Sequence, residues 1–598
     1  MSETVEDLAQ PEVTPPAVRR RRWPLRLLML AGAVVLVVVA AAATIDPRPL
    51  LERRASDMLG RAVTMDAAVI HWGLAPSLEV RGVRVANPAG TRDLPDFLTV
   101  AHGIARLDLP PLLRGRLQLR SLELDKPSVA LVRDDDGSGS WDLTAGIPDP
   151  VPLLQRMPRL TILDATLTDA SVQWRGRFTV HLTSGELTLH TDSAGAPVTV
   201  KADATVDGVP VHADAILAPL ANFRGDGPAD IDLTVTAAGA TARLIGVAPT
   251  DSGVRGQFSF AADKLGSLTG MLTQARPAWR LSGMHGEFGG GSFTGNVSLF
   301  ENPGTGPDDL ALVLDFASLD LRTLLAEWGG QGVWRTAKLP VNVAARVAAT
   351  RATFGSVALA AVDLDAALVP GRLSVAGLSF TAADGRAMIS GDAETAGAGL
   401  HVAAKIALTG ADAAQLAPTL GLDATQLAGK VDARLSFDVT GDTLAEALKA
   451  GRVDAVLAMT QGRLSREALE AAAPGLKAII RKAAPPTRVA CVLAVVELRN
   501  GTATLAPARW RTSDGSFIAA GTLDPVQAKL DVIMRSEGVT PGFFTLDTPQ
   551  RLTLEDTGLT IQPTVRANMR NPDAQAAAAL KLLPADLAAM AGGNSCVR

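Results

Sequence analysis

From about residue 62 onward, apolar and polar positions alternate in short runs, the pattern of strands with one buried and one solvated face. The stretch "VTVKADATVDGVPVHADAIL" (198–217) shows the form: alternation, a turn at Asp207-Gly208, then alternation again. Asp-Gly between two such runs is a strong hairpin signal. "FGGGSFTGNVSLF", "VELRNGTATLAP" and "RTSDGSFIAAGTLD" repeat it with Gly-rich, Asn-Gly and Asp-Gly turns. The regular long helices that a parallel α/β sheet needs between its strands are missing from the pattern. The fold class predicted is mainly β, a long twisted antiparallel sheet with few short helices.

The alternation slips at recurring places. In "LQLRSLEL" (117–124), Leu117 and Leu119 alternate with polar residues, and then Leu122 and Leu124 resume one position out of phase. The same slip occurs in "LEVRGVRV" (78–85), "LDFASLDL" (314–321) and "LSVAGLSF" (373–380), and more loosely in "IALTGADA" (406–413). With a side-chain period of 2, an uncorrected slip would send half of each run to the wrong face. An extra residue at Arg120-Ser121, forming a β-bulge, would return both leucine pairs to one face and add twist. A tight two-residue hairpin at that point is the alternative. Repeated bulges would curl the sheet into an aliphatic groove. Val80, Val83, Val85, Leu117, Leu119, Leu122 and Leu124 are predicted to share its inner face. The competing reading closes that face on itself as a sandwich or barrel core.

Helical signals are sparse. "DPRPLLERRASDMLGRAV" places Leu50, Leu51, Arg54, Ala55, Met58 and Leu59 at helical spacing with Gly60 as a stop, predicting a short amphipathic helix on the first strands or on a membrane surface. Further short helices are expected at 320–328, 410–418, 443–450, 465–484 (broken at Pro474-Gly475) and 572–591. The four prolines of 144–158 mark a linker or flap.

Charge is organised at the N-terminus. Arg19, Arg20, Arg21, Arg22 and Arg26 precede "LLMLAGAVVLVVVAAAATI", an uncharged run from Leu27 to Ile45. As a helix that run would be roughly 28 Å long, about the thickness of a bilayer's hydrocarbon. It is predicted to be a single transmembrane anchor, and the arginines place the tail inside and the remaining chain outside. A cleaved signal peptide is the alternative, with small residues at Ala41–Ala43 near a possible cleavage site.

Composition narrows the function. Only 4% of residues are aromatic and none is Tyr, so small aliphatic side chains must supply the apolar face, as suits a thin sheet. A net charge of −5 gives no reason to expect nucleic acid as a partner. No phosphate-binding loop, H-E-x-x-H zinc motif or G-x-S-x-G elbow is present. The seven histidines stand singly in alternating strands, most of them facing outward. "RDDDGSGSWD" (133–142) fails as a calcium loop, because counting back from Gly137 puts Val132 at the first ligand position. Catalysis, a cofactor and a metal are therefore not expected. Cys491 and Cys596 would meet an oxidising compartment outside the inner membrane, as a disulfide or as two separate thiols.

Several segments carry a resemblance in a fixed order. After the anchor and the helix ending in Gly60-Arg61 come "LEVRGVRVANP" (78–88), "PLLRG" (111–115), "LQLRSLELDKPSVALVR" (117–133), and Asp136-Gly137 followed by Trp141. Much later come "GRVDAVLAMTQGRL" (451–464), "CVLAVVELRNGTATL" (491–505), "SDGSFIAAGTLD" (513–524), a terminal helix and Cys596. This order resembles the AsmA family of bacterial inner-membrane-anchored periplasmic proteins. Members commonly carry Asn before the Trp, where this chain has Ser140. The resemblance implies a cytoplasmic tail (1–26), an anchor (27–45), an N-terminal AsmA-like region (46–143), middle groove repeats (144–440) and a C-terminal AsmA-like region (441–598). It further implies outer-membrane maintenance by transfer of phospholipid, whose acyl chains would be the ligand. Besides the inner membrane, outer-membrane or other periplasmic proteins would be partners. A non-transporting scaffold or regulator of outer-membrane protein assembly and envelope composition is the alternative function. The compartment, the even count and the resemblance together favour a Cys491–Cys596 disulfide, clamping the terminal helix to the last sheet.

Overall fold

The computed structural model describes residues 46–597 apart from 74, 88–95, 113–116, 133–139, 141–159, 176–178, 220–221, 223–228, 249–252, 264–265, 276, 303–305, 323–340, 356, 397–398, 417–426, 442–443, 465–486, 513–514, 525–528, 538–549, 556–557 and 564–571. The predicted segments 27–45, 144–158 and 465–484 lie outside these residues, as do the loop 133–142 apart from Ser140 and most of 320–328. Among the described residues, no helix is long and apolar enough to cross a membrane.

The chain forms two compact units, the first extending to Gly208 with the short stretch Pro219–Arg224, the second made of Val209–Ala218 and the chain from Gly225. Each is a sheet of strands joined mostly to their sequence neighbours. Asp207 and Gly208, the predicted hairpin turn, both have positive φ, 48° and 85°, the conformation a tight primed turn needs.

In the first unit, the helix Arg48–Leu59 lies along the edge of the sheet and ends at Gly60, which is left-handed at φ 65°. Its side chains satisfy the edge strand's backbone. The Val63 N–H donates to Ser56 Oγ (2.9 Å) and the Met65 N–H to Glu52 Oε1 (2.9 Å), while Arg48 Nη1 donates to the Asp66 carbonyl (3.3 Å). Over Val63–Asp66 the edge is thereby closed to another strand. Antiparallel pairs then follow, Ala67–His71 with Ser77–Val85 and Ser77–Val85 with Leu98–Leu107.

The expectation of a wholly antiparallel sheet needs correction at two places. Leu117–Asp125 and Ser128–Val132 both pair in parallel with Leu160–Arg175, and in the second unit Asp308–Asp320 pairs in parallel with Val341–Phe354. The chain between the partners, 133–159 and 321–340, is long enough for the crossover that parallel pairing requires. Alternation within each run carries no mark of such isolated crossovers.

Helices in the second unit are few and short. Ala413–Leu416 and Leu444–Ala450 fall within predicted segments. The predicted 572–591 helix is two, Pro572–Leu582 and Ala585–Gly593, separated at Pro584, whose extended backbone ends the first and opens the second.

Candidate functional site

The slips in alternation are compensated in the structure. Opposite Leu98–Leu107, the register of Leu117–Asp125 shifts by one residue between the pairs Arg106–Ser121 and Leu107–Leu119, leaving Arg120 as the extra residue of a bulge. Arg120 and Ser121 both face outward, where Arg120 pairs with Asp108 (3.4 Å) and Ser121 accepts from Arg106 (2.9 Å). Leu119 and Leu122 accordingly stay on one face. In Ser77–Val85 a different device does the same. Gly82 sits at φ +60°, a conformation glycine takes without strain, and a Cβ there would fall 2.0 Å from an Asp66 carboxylate oxygen. Glu79, Arg81 and Arg84 point outward across this switch and Leu78, Val80, Val83 and Val85 inward, as their ion pairs and burial record.

The seven predicted inner residues are brought together in register. Val80 and Leu124 flank Gly103, each 3.1 Å from where its Cβ would lie. Val83 pairs with Val100, Val85 with Leu98, Leu122 with Ala105 and Leu119 with Leu107. Leu117 lies beside Leu160. Val85 and Leu119 are buried, with Val63, Met65, Ala68 and Val100, whereas Val80, Val83, Leu117, Leu122 and Leu124 are half-buried. Part of this face is therefore packed core.

The second unit carries a longer version that sequence reading did not single out. One row of cross-strand partners runs through the twenty-one strands from Val209–Leu217 to Gly558–Pro563. It begins Leu217, Ile231, Gly246, Gly256, Leu272, Leu281, Val297, Leu312. It continues through Ala345, Ala366, Val375, Gly391, Ala404, Phe437 and Val453. It ends Leu498, Ala503, Leu523, Leu530, Leu554, Leu559. Every position is apolar or glycine, and at about 4.8 Å per strand the row is roughly 100 Å long. The signal was present in the sequence only as alternation within each run. The partner of each residue depends on bulges and on the parallel crossover, which are long-range facts.

Burial along this face is uneven. Met284, Phe293, Phe316, Leu319, Ala349, Ala352, Leu359 and Val362 form a buried cluster, with the Phe293 and Phe316 rings 5.4 Å apart. Phe316 and Leu319 belong to the slipped "LDFASLDL" and still share it. In the four strands Asp230–Ala237, Ala240–Val247, Arg255–Ala262 and Gly266–Ala275, by contrast, no described apolar side chain is buried. There Leu244 pairs with Phe258 and Ala242 with Phe260, all half-buried. Leu457, on the same face further along, is 42% exposed.

Where the C-terminal helices dock, the opposite face is covered instead. Val456, Ala458, Cys491, Leu493 and Val495 pack against Leu583, Leu587, Ala591 and Cys596. Strands Arg452–Leu464 and Thr487–Arg499 are thus apolar on both faces, and the helices take only one. Cys491 and Cys596 are joined in a disulfide with Cα atoms 5.7 Å apart. Arginines complete the clamp: Arg434 donates to the Asp586 carbonyl (2.8 Å), Arg452 to Leu582 (2.7 Å), Arg509 to Cys596 (2.9 Å) and Arg511 to Ser595 (3.1 Å). Beneath them Asp454, buried, accepts from Arg452 (2.8 Å) and from Arg499. Burial pushes the neighbouring Glu497 carboxyl up from its ordinary pKa.

Elsewhere the outer face mixes exposed apolar residues, among them Ile216, Ile245, Met271 and Met388, with cross-strand pairs such as Arg243–Asp232 (2.8 Å), Arg372–Asp392 (2.9 Å) and Arg551–Asp531 (2.6 Å). Histidines join it: His71 and His102 both reach Glu79, His190 reaches Asp164, His212 reaches Asp214, and His401 reaches Asp438. Hydrogen bonds from Arg81, His71 and His102 hold Glu79 down to a pKa of about 2. Asp164 and Asp438 raise the pKa values of His190 and His401 above 6.5. A raised histidine contributes its stabilisation fully below its unfolded pKa and loses it as pH rises through the folded one. The His190 ring should accordingly titrate above 6.5 by NMR, and Asp164→Asn should move its midpoint down. An unchanged midpoint in that variant would contradict the pairing. Among the described residues, no group of three His, Cys, Asp or Glu side chains could hold a metal.

The anchor-like run, the edge helix and the first slipped strands are thus consecutive parts of one N-terminal region. Residues 22–147 match the AsmA family. The matched segment takes in the run 27–45, the helix Arg48–Leu59, and the strands through Ser128–Val132, including both corrected slips. The resemblance of residues 451–524 to the family rests on the residues quoted above, since the match stops at 147. No curated protein matches the chain.

Proposed function

We propose that this protein is an AsmA-type envelope protein, anchored in the inner membrane through residues 27–45 with its β-units in the periplasm. It carries phospholipid along the apolar face of the second unit and so supports the outer membrane. The observation that carries this reading is the unbroken apolar row through twenty-one strands, with Leu244 and Phe258 half-buried and Leu457 42% exposed on the same face. An acyl chain gains roughly 0.8 kcal/mol per buried CH2, and a continuous row offers that gain at every step, whereas a local core would not need continuity. Charged pairs on the outer face, Arg243–Asp232 and Arg372–Asp392 among them, help to keep such a sheet in water. A non-transporting scaffold is the second reading, favoured by the packed residues Val63, Val85, Val100 and Leu119 of the AsmA-family segment.

A photo-crosslinking residue at Leu244 or Leu457, followed by mass spectrometry of the adducts, separates the two. Phospholipid adducts are expected at both positions and not at Arg243, which is on the same strand as Leu244 and faces the other way. Equal or absent lipid at all three positions would leave the scaffold.

A further inference from the structure

The helix Arg48–Leu59 has two unlike sides. One side, through Arg48, Glu52 and Ser56, covers the sheet edge. The other is turned away from the sheet. On it Leu50 is 64% exposed and Met58 37%, with Arg53, Arg54 and Asp57 between them, also exposed. These positions are three, four, seven and eight residues from Leu50, so they form one stripe. Arginine outnumbers the single acid on it.

A second exposed group follows along the same edge. Arg48, at the helix start, reaches Asp66, whereas Ser56, two turns on, reaches Val63. The helix therefore runs opposite to the edge strand, which continues from Asp66 past the helix start to Trp72, six residues or roughly 20 Å further. Trp72 is 49% exposed, and a Cβ on the adjoining Gly73 would meet nothing within 4 Å. The chain reaches Arg48 from the uncharged run that ends at Ile45, three residues earlier. That distance keeps the helix start within about 10 Å of wherever the run ends.

We propose that the outer stripe of this helix and Trp72 together form a seat on the lipid surface of the membrane that anchors the chain. The inference rests on the anchoring of residues 27–45 proposed above. An indole at the headgroup level buries its ring and keeps its N–H hydrated. Leu50 and Met58 enter the apolar boundary, and Arg53 and Arg54 meet anionic headgroups. The seat would hold the sheet edge against the bilayer, so that the first strand lies where lipid leaves the membrane.

Depth-dependent quenching tests this on the full chain. The two native cysteines are bonded to each other, so a single introduced cysteine can be labelled with an environment-sensitive fluorophore. Leu50→Cys and Lys201→Cys are labelled in chain reconstituted into phosphatidylcholine–phosphatidylglycerol vesicles containing brominated lipid. Lys201 is exposed and lies six strands in from Ala67–His71, roughly 29 Å away. An interfacial helix sits about 5–10 Å into the boundary, so quenching of about twofold or more is expected at position 50 and none at 201. Adding Trp72→Ala should remove at least about half of that quenching, because the ring is one of two anchors. Chain that floats with the vesicles but is unquenched at 50 overturns the seat and leaves the anchor standing. Chain that does not float overturns the anchor itself. A blue shift at 50 without quenching by bromine means a protein covers the stripe, and it also overturns the proposal. Quenching unaffected by Trp72→Ala overturns the part assigned to Trp72.

Discussion

Removing the Cys491–Cys596 bond by replacing both residues with alanine is expected to lower the stability of the C-terminal part by about 2–4 kcal/mol. The cysteines are 105 residues apart, and loop entropy alone sets an upper figure of roughly 4.7 kcal/mol for that length. Alanine is chosen because both sulfurs are buried, and a serine hydroxyl would add the separate cost of an unpaired polar group. The helix pair should still dock, since Leu587 and Ala591 keep their apolar contacts and the four arginines keep theirs. The loss should therefore appear as faster amide exchange in Ala585–Gly593 and an earlier denaturation midpoint. Exchange and midpoint equal to those of the bonded protein would mean that packing and arginines suffice, and that the bond contributes nothing.

Much of this clamp was legible in the sequence, and some of it was not. The oxidising compartment, the even cysteine count and the family resemblance pointed to the bond. The identity of the covered face did not emerge. "GRVDAVLAMTQGRL" and "CVLAVVELRN" read as near-continuous apolar runs, and only the docked helices explain why both faces of those strands are apolar. Asp454 illustrates the limit. Within its run it looks like an ordinary outward residue, yet it is buried because Arg452 and Arg499 neutralise it under the helices.

The slips show the opposite case. Because the period of a strand is 2, the doublet Arg120-Ser121 between two leucine pairs admits few solutions, and a bulge is the one observed. Gly82 achieves the same return by a left-handed backbone, a choice the run "VRGV" signals through its glycine. Accessibility could not be read this way. Leu119 and Leu122 have equal claims in the sequence, but Leu119 is buried and Leu122 half-buried. An aspartate at Leu119 would therefore test folding more than binding. The parallel crossovers escaped for a related reason: which strand follows 133–159 or 321–340 is decided by long-range pairing, and no local signal carries it.

The strongest functional effect is expected from Leu244→Asp/Phe258→Asp. These two residues face each other on adjacent strands beside Gly246 and Gly256 of the apolar row, and neither is buried. A chain crossing this point must pass the two side chains. Two hydrated carboxylates would hold water over the row and displace about three methylenes per acyl chain, or about 2.4 kcal/mol, a factor of roughly 50 in occupancy. Neighbouring strands should keep their fold, because no described apolar side chain of these four strands is fully buried. Leu244→Ala/Phe258→Ala serves as the control, removing bulk without adding charge, and should retain most of the occupancy. The reading is lipid crosslinked at Leu457, twelve strands further on from Leu244 within the same unit, compared with lipid at Ile231 on the near side. With lipid moving along the row, the aspartates should reduce capture on one side of the block while the other side keeps its lipid. The side that is lost gives the direction of transfer. Capture unchanged at both positions would show that lipid reaches them independently from solvent or membrane, and the apolar row would then be a binding surface without transport.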